Sequence, residues 1–134
     1  MNADERIALI REKIDRSKKH LDDLATARDR FFDPKPYVIE SKRDPQTGLD
    51  NFNVTDVKAP PHEIGLIAGD ISHNLRSALD HLAFQLVLAN KQVPDKHTCF
   101  PIFDDAATYN ANRARRVRGM AQSAIDAIDA ATAI

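Results

Sequence analysis

The chain has 134 residues, a length that suits one domain spanning residues 1–134, with enough buried surface for one real core. Its 43% hydrophobic and 29% charged content is that of a soluble globular protein. A net charge of −1 gives no global basic field to recruit nucleic acid, so any such binding must come from a local patch.

The single cysteine, Cys99, excludes an internal disulfide and a multi-cysteine zinc site. No apolar run approaches the roughly 20 residues that span a bilayer. The charged start "MNADERIALIREK" lacks the apolar stretch of a signal peptide. A cytoplasmic protein with no membrane partner is the expectation.

Ile7, Ile10, Ile14, Leu21, Leu24 and Phe31 recur at helical spacing, with Ser17 and Arg28 in the two gaps. They predict a first helix of about eight turns. Asn2 and Glu5 have capping-box spacing. Arg11, Lys13, Arg16, Lys18 and Lys19 read as a solvated face. "DPKP", Asp33 to Pro36, stops the helix, because proline lacks an N–H and restricts the residue before it. A hairpin is then expected at about residues 37–58. Tyr37, Val38 and Ile39 favour strand, "DPQTG" (Asp44 to Gly48) has turn chemistry, and Phe52 and Val54 alternate with Asn51, Asn53 and Thr55. An isolated hairpin is marginal in water, so it should pack on the helices or on another chain.

"APP" (Ala59 to Pro61) opens a second helix that runs to about Ala89. An extended linker follows, whose Phe100, Ile102 and Phe103 are expected to tuck over the helices. Asp104 or Asp105 can cap a third helix through Arg118, with Gly119 as its C′ residue. A fourth helix is expected over "SAIDAIDAATAI", with Ser123 and Asp126 as a capping pair. Its alanine-rich end, in mid-pattern at Ile134, points to a frayed terminus or a fragment of a longer chain. The predicted fold is mainly α: a bundle of three to four helices with a β-hairpin inserted between the first two long helices.

The second helix carries the chemistry. At about 100° per residue, Ile64, Ala68, Ile71, Leu75, Ala78, Leu79, Leu82, Leu86 and Ala89 share one side. Asp70, His73, Asn74, Ser77, Asp80, His81 and Phe84 share the other, and Val87 continues it. These polar residues are short, hydrogen-bonding and titratable, unlike a solubilising Glu/Lys face. The plain structural account has them satisfying the hairpin backbone or a neighbouring helix. Asp70, His73, Ser77 and Asp80 lie along one ridge, and His and Asp are proper metal ligands. Bundle metal sites, however, draw ligands from several facing helices. Only His20 on the first helix could contribute, and His97 and Cys99 are too few for a closed site, so no metal and no cofactor are expected.

"RSALDH" is Arg76-x4-His81, with Ser77 directly after the arginine. Here the sequence resembles the HEPN superfamily of small helical proteins, many of them metal-independent ribonucleases, whose motif is an arginine, a polar residue and a histidine. The likeness covers one helix, and the hairpin between the first two helices is outside the usual HEPN pattern. The longer string "GDISHNLRSALDHLAFQLV" also resembles a segment of uncharacterised bacterial proteins, which implies no activity. The HEPN resemblance implies catalytic Arg76 and His81 and a site formed across a homodimer. The chemistry is coherent: a histidine can take the proton of an RNA 2′-hydroxyl or protonate the leaving oxygen, and an arginine fork can stabilise charge on phosphorus. Asp80, at i+4 from Arg76, can orient the guanidinium, and Asn74 or Ser77 the imidazole. His73 shares the face outside the motif.

"RARRVR" supplies Arg113, Arg115, Arg116 and Arg118, the only basic cluster and the candidate RNA contact. These side chains point in different directions, and cations near a helix C-terminus also suit the macrodipole. The sequence therefore leads to a HEPN-like protein that binds or cleaves RNA without metal. The alternative is a non-catalytic helical module for homodimerisation or regulatory interaction.

Overall fold

The computed structural model describes residues 2–132. In chain order the elements are α1 (Ala3–Phe32), β1 (Val38–Arg43), β2 (Asp50–Thr55), α2 (His62–Ala89), α3 (Ala106–Arg116) and α4 (Gln122–Thr132). Among the described residues the protein is mainly helical, with four helices and a two-stranded antiparallel hairpin between the first two. Two compact units are distinguished: residues 18–71, and residues 1–17 with 72–134.

The capping box at the start of α1 is formed in both directions. Glu5 N–H donates to Asn2 Oδ1 at 2.9 Å, and Asn2 N–H donates to Glu5 Oε2 at 2.8 Å. In the unit of residues 18–71, the buried side of α1 runs through Leu24, Ala27 and Phe31. Ala27, rather than Arg28, takes the gap position; Arg28 is exposed and pairs with Asp29 at 2.8 Å. Leu21 also points outward. After Phe32 the chain leaves the helix through Pro34 and buried Pro36, whose carbonyl accepts Lys58 N–H at 2.7 Å and closes the base of the hairpin.

The hairpin pairs Val38 with Thr55 through to Arg43 with Asp50. Its loop is organised by Asp44, whose carboxylate accepts the N–H of Gln46 at 2.8 Å, while Asp44 O accepts Gly48 N–H at 2.8 Å. Gly48 there has φ +72°, which glycine adopts freely. Both strands stay exposed apart from half-buried Thr55. The expected packing of the hairpin on the helices is thus not found among the described residues: Ile39 is 58% exposed, Phe52 71% and Val54 62%.

In the other unit the core gathers Ala83 and Val87 of α2 with Phe100, Val117, Met120 and Ile128, and Leu79, Leu86, Ala124 and Ile125 pack around it. Val87 is fully buried, which corrects its placement on the polar side of α2. The segment from Phe100 to Ile128 covers the side of α2 next to the one that the leucine pattern marks, so the buried arc of this helix is wider than one stripe. Ile10 and Ser17 of α1 are also buried, and the Ser17 hydroxyl is satisfied by Lys13 O at 3.0 Å. In the linker, Phe100 and Pro101 are buried but Ile102 is 50% exposed, contrary to expectation: the linker is tied to α2 at Phe100, whose N–H donates to Asp80 Oδ1 at 3.0 Å.

α2 ends in a Schellman arrangement: Gln92 N–H donates to Val87 O at 3.2 Å and Lys91 N–H to Leu88 O at 2.9 Å, with Lys91 at φ +56°. α3 is capped by Asp105 and stops at Arg116, not Arg118. The early stop has a packing reason: Val117 and Met120 turn into the core, and Met120 N–H donates to Val117 O at 3.1 Å. Gly119 permits this turn at φ +87°, and a β-carbon there would lie 3.1 Å from Val87 Cγ1. In α4, Ser123 lies inside the helix rather than at its cap, and Asp126 instead accepts Gln122 Nε2 at 2.8 Å. The expectation for Ala133 and Ile134 falls outside the described residues.

Two predictions follow from these local geometries. Gly48→Ala meets only the left-handed backbone penalty, about 1–2 kcal/mol, whereas Gly119→Ala adds overpacking against Val87 and should cost more, about 2–4 kcal/mol. Denaturant melts of the two variants check the order. The Asp105 carboxyl is held below its ordinary range, first by Thr108 N–H and then by the Thr108 hydroxyl. Because the folded value is the lower one, this cap stabilises above the ordinary carboxylate range and is lost as pH falls through the depressed value. Far-UV dichroism should show α3 fraying in acid, and Asp105→Ala should remove that step.

Candidate functional site

Asp80 joins two parts of one unit, α2 and the linker that follows it. Its Oδ2 accepts Arg76 Nε at 3.1 Å, one turn back along α2, and its Oδ1 accepts the backbone N–H of Phe100 at 3.0 Å. The first bond turns the Arg76 guanidinium along the helix. The second ties the linker to α2 just where Phe100 enters the core. Arg76 makes this contact through Nε alone; no bond from Nη1 or Nη2 is formed among the described residues. Arg76 and Asp80 are half-exposed, with side-chain exposures of 42% and 36%, so the pair sits at the surface of the core and not within it.

His81 is exposed and borders a groove of about 490 Å³ between the N-terminal part of α1 and the C-terminal part of α2. Leu9, Ile10 and Phe84 form its apolar walls, and Arg6, Gln85 and Thr98 bring polar groups to it. Arg6 Nη1 reaches Gln85 Oε1 at 3.5 Å. An open apolar groove with a few convergent polar groups is the common form of a small-ligand site. Arg76 is not among the residues that line it; Asp80 lies between Arg76 and His81 in sequence and contributes to the groove.

The other residues singled out by sequence are spread. Ser77 is half-buried, His73 is exposed, and Asn74 is half-buried and has an interaction partner. In the unit of residues 18–71, Asp70 borders a separate groove of about 310 Å³ with His20, Asp23, Arg30 and Glu63. His20 Nδ1 there lies 3.4 Å from Asp23 Oδ2. Among the described residues, no three His, Cys, Asp or Glu side chains converge as metal ligands would.

The arginine cluster is divided among intramolecular partners. Arg113 pairs with Asp129 at 3.1 Å, and Arg118 with Asp95 at 4.0 Å. Arg116 donates to Cys99 Sγ at 3.1 Å and stacks 6.0 Å from the Phe103 ring centre. Arg115 is exposed. A second network joins α3 to α4: Tyr109 donates to Asp129 at 2.6 Å and accepts from the Thr132 hydroxyl at 2.9 Å. Burial, and then the bond to Asp129, holds the Tyr109 phenol above its ordinary pKa.

Nothing in the sequence marks Arg6, Leu9, Gln85 or Thr98 as groove residues. Arg6 reads there as one more charge in the first turn of α1, and only the antiparallel approach of α1 to α2 gives it a place beside His81. Comparison with protein-family models, with curated proteins and with solved structures finds no match to this chain.

Loss of the Asp80 carboxylate should leave Phe100 N–H unpaired and Arg76 unoriented. Asp80→Ala is expected to cost about 1–2 kcal/mol in a denaturant melt, since each lost bond involves a charged but half-exposed group. Arg76→Ala, which leaves the Phe100 bond intact, should cost less.

Proposed function

We propose that the protein is a HEPN-like RNA-binding or RNA-cleaving protein that needs no metal or cofactor and works in the cytoplasm, with Arg76 and His81 as its reactive groups. The observation that carries this reading is the groove bordered by exposed His81, next to an Asp80 that orients Arg76 through Nε while leaving its terminal amino groups uncommitted. That fork can meet two phosphate oxygens. Phe84 and Leu9 offer an apolar rest for an unpaired base, and Arg6 adds a second positive charge to the groove.

In the cleavage step His81 takes the proton from the 2′-hydroxyl. The 2′-oxygen bonds to phosphorus, the bond from phosphorus to the 5′-oxygen breaks, and the departing oxygen gains a proton from water. Arg76 offsets the added charge on the phosphoryl oxygens. Ser77 and Asn74 serve as positioning groups on the same turn. Arg113, Arg115, Arg116 and Arg118 are left for backbone contacts further along the RNA, with Arg115 the most available.

The test is cleavage of single-stranded RNA in the presence of EDTA, which should leave a 2′,3′-cyclic phosphate. His81→Ala and Arg76→Ala should each slow it by about 10²-fold or more, while His73→Ala should matter less. Full activity in folded His81→Ala removes the nuclease assignment.

A second reading is a non-catalytic homodimerisation module. What favours it is the exposed apolar face of the hairpin, formed by Ile39, Phe52 and Val54. Sedimentation should then give a dimer at high micromolar concentration, and a strict monomer contradicts it.

A further inference from the structure

The two edges of the hairpin are unlike. β1 carries Glu40, Lys42 and Arg43, the kind of charges that keep an edge strand from pairing with another chain. β2 reads Asp50-Asn-Phe-Asn-Val-Thr55 and has no charge, proline or bulge between Asn51 and Thr55. It therefore presents an unprotected edge, next to apolar side chains that are mostly exposed.

The register also fixes which backbone groups that edge offers. Asp44 N–H donates across the hairpin to Leu49 O at 2.8 Å. In an antiparallel ladder, inward and outward backbone groups alternate, so Asn51, Asn53 and Thr55 point theirs at β1 and Asp50, Phe52 and Val54 point theirs away. Any strand added to β2 must bond to Phe52 and Val54.

The geometry points to a second copy of this chain as the occupant, adding its own β2 antiparallel about a two-fold axis at Asn53. This rests on the homodimer reading and assigns it a surface and a register. In this register Phe52 lies opposite the partner's Val54, and the relation is repeated by symmetry. Each such pair can exchange two backbone hydrogen bonds and set an aromatic ring against a β-branched side chain. Asn51 meets the partner's Thr55, polar against polar on the other face. Asp50 would meet the partner's Asp56, but Asp56 has already left the strand, at φ +50°. Centring on Phe52 instead would set Asp50 against the partner's Val54. Pairing through β1 would leave the two β2 strands, uncharged from Asn51 to Thr55, as the outer edges, whereas pairing through β2 puts Glu40, Lys42 and Arg43 there.

The experiment places single cysteines in a Cys99→Ser background, with sedimentation of the unsubstituted chain alongside. Asn53 faces its own copy as a non-hydrogen-bonded pair, about 4.5 Å between α-carbons, within disulfide reach. Asn53→Cys should form a disulfide-linked dimer on mild oxidation, and Asn51→Cys and Ser41→Cys should not. Val54→Lys should give a folded monomer with unchanged helical content, because Val54 is mostly exposed within one chain; its melting temperature should not depend on protein concentration, whereas that of the unsubstituted dimer should. A dimer that cross-links at Ser41→Cys and not at Asn53→Cys overturns this surface while leaving the homodimer reading in place. A strictly monomeric unsubstituted chain overturns both.

Discussion

The Asp80 carboxylate is the constraint on which the larger unit turns. One oxygen holds Phe100 N–H, which starts the covering of α2 by the linker, α3 and α4; the other holds Arg76. Ala83 and Val87, one and two turns further along α2, are buried as deeply as they are because Phe100, Val117, Met120 and Ile128 close over them. A short acidic side chain at this place therefore does two jobs that a surface glutamate could not: it ends an extended segment against the helix and fixes the direction of a neighbouring guanidinium. The histidine that follows it is left outside the covering and faces open space.

Much of the architecture is legible in local chemistry. The Asn2 and Glu5 cap, the prolines after Phe32, the Asp44 loop and the bounds of α2 each follow from interactions within a few residues. What was not legible depends on contacts distant in sequence. Val87 reads as part of a polar side because the helical wheel of α2 alone does not reveal a second covering layer. The end of α3 shifts from Arg118 to Arg116 because Val117 is drawn into that same core, with Gly119 pressed against Val87. Ile102 and Phe100 look equivalent in the sequence, and only the tether at Phe100 decides which of them goes in.

The candidate site divides along the same line. The grouping of Arg76, Asp80 and His81 on successive turns is a property of one helix, and the Arg76–Asp80 bond follows from i,i+4 spacing. Its groove is not, because Arg6 and Leu9 come from the other end of a helix pair and Thr98 from the linker. The basic cluster shows the opposite behaviour. "RARRVR" is conspicuous in sequence, yet Arg113, Arg116 and Arg118 each have an intramolecular partner. Charge density along a chain does not measure charge available to a ligand.

The proposed function requires the Arg76 fork and the His81 imidazole to meet the same phosphate. Titration with an RNA oligonucleotide whose 2′-oxygens are methylated, followed by the side-chain nitrogen resonances of arginine and histidine, tests it without turnover. Saturable shifts are expected at Arg76 and His81, with His73 unchanged, and the His81 shift should be lost in Arg76→Ala. Shifts confined to Arg113, Arg115, Arg116 and Arg118, or none at His81, would contradict it.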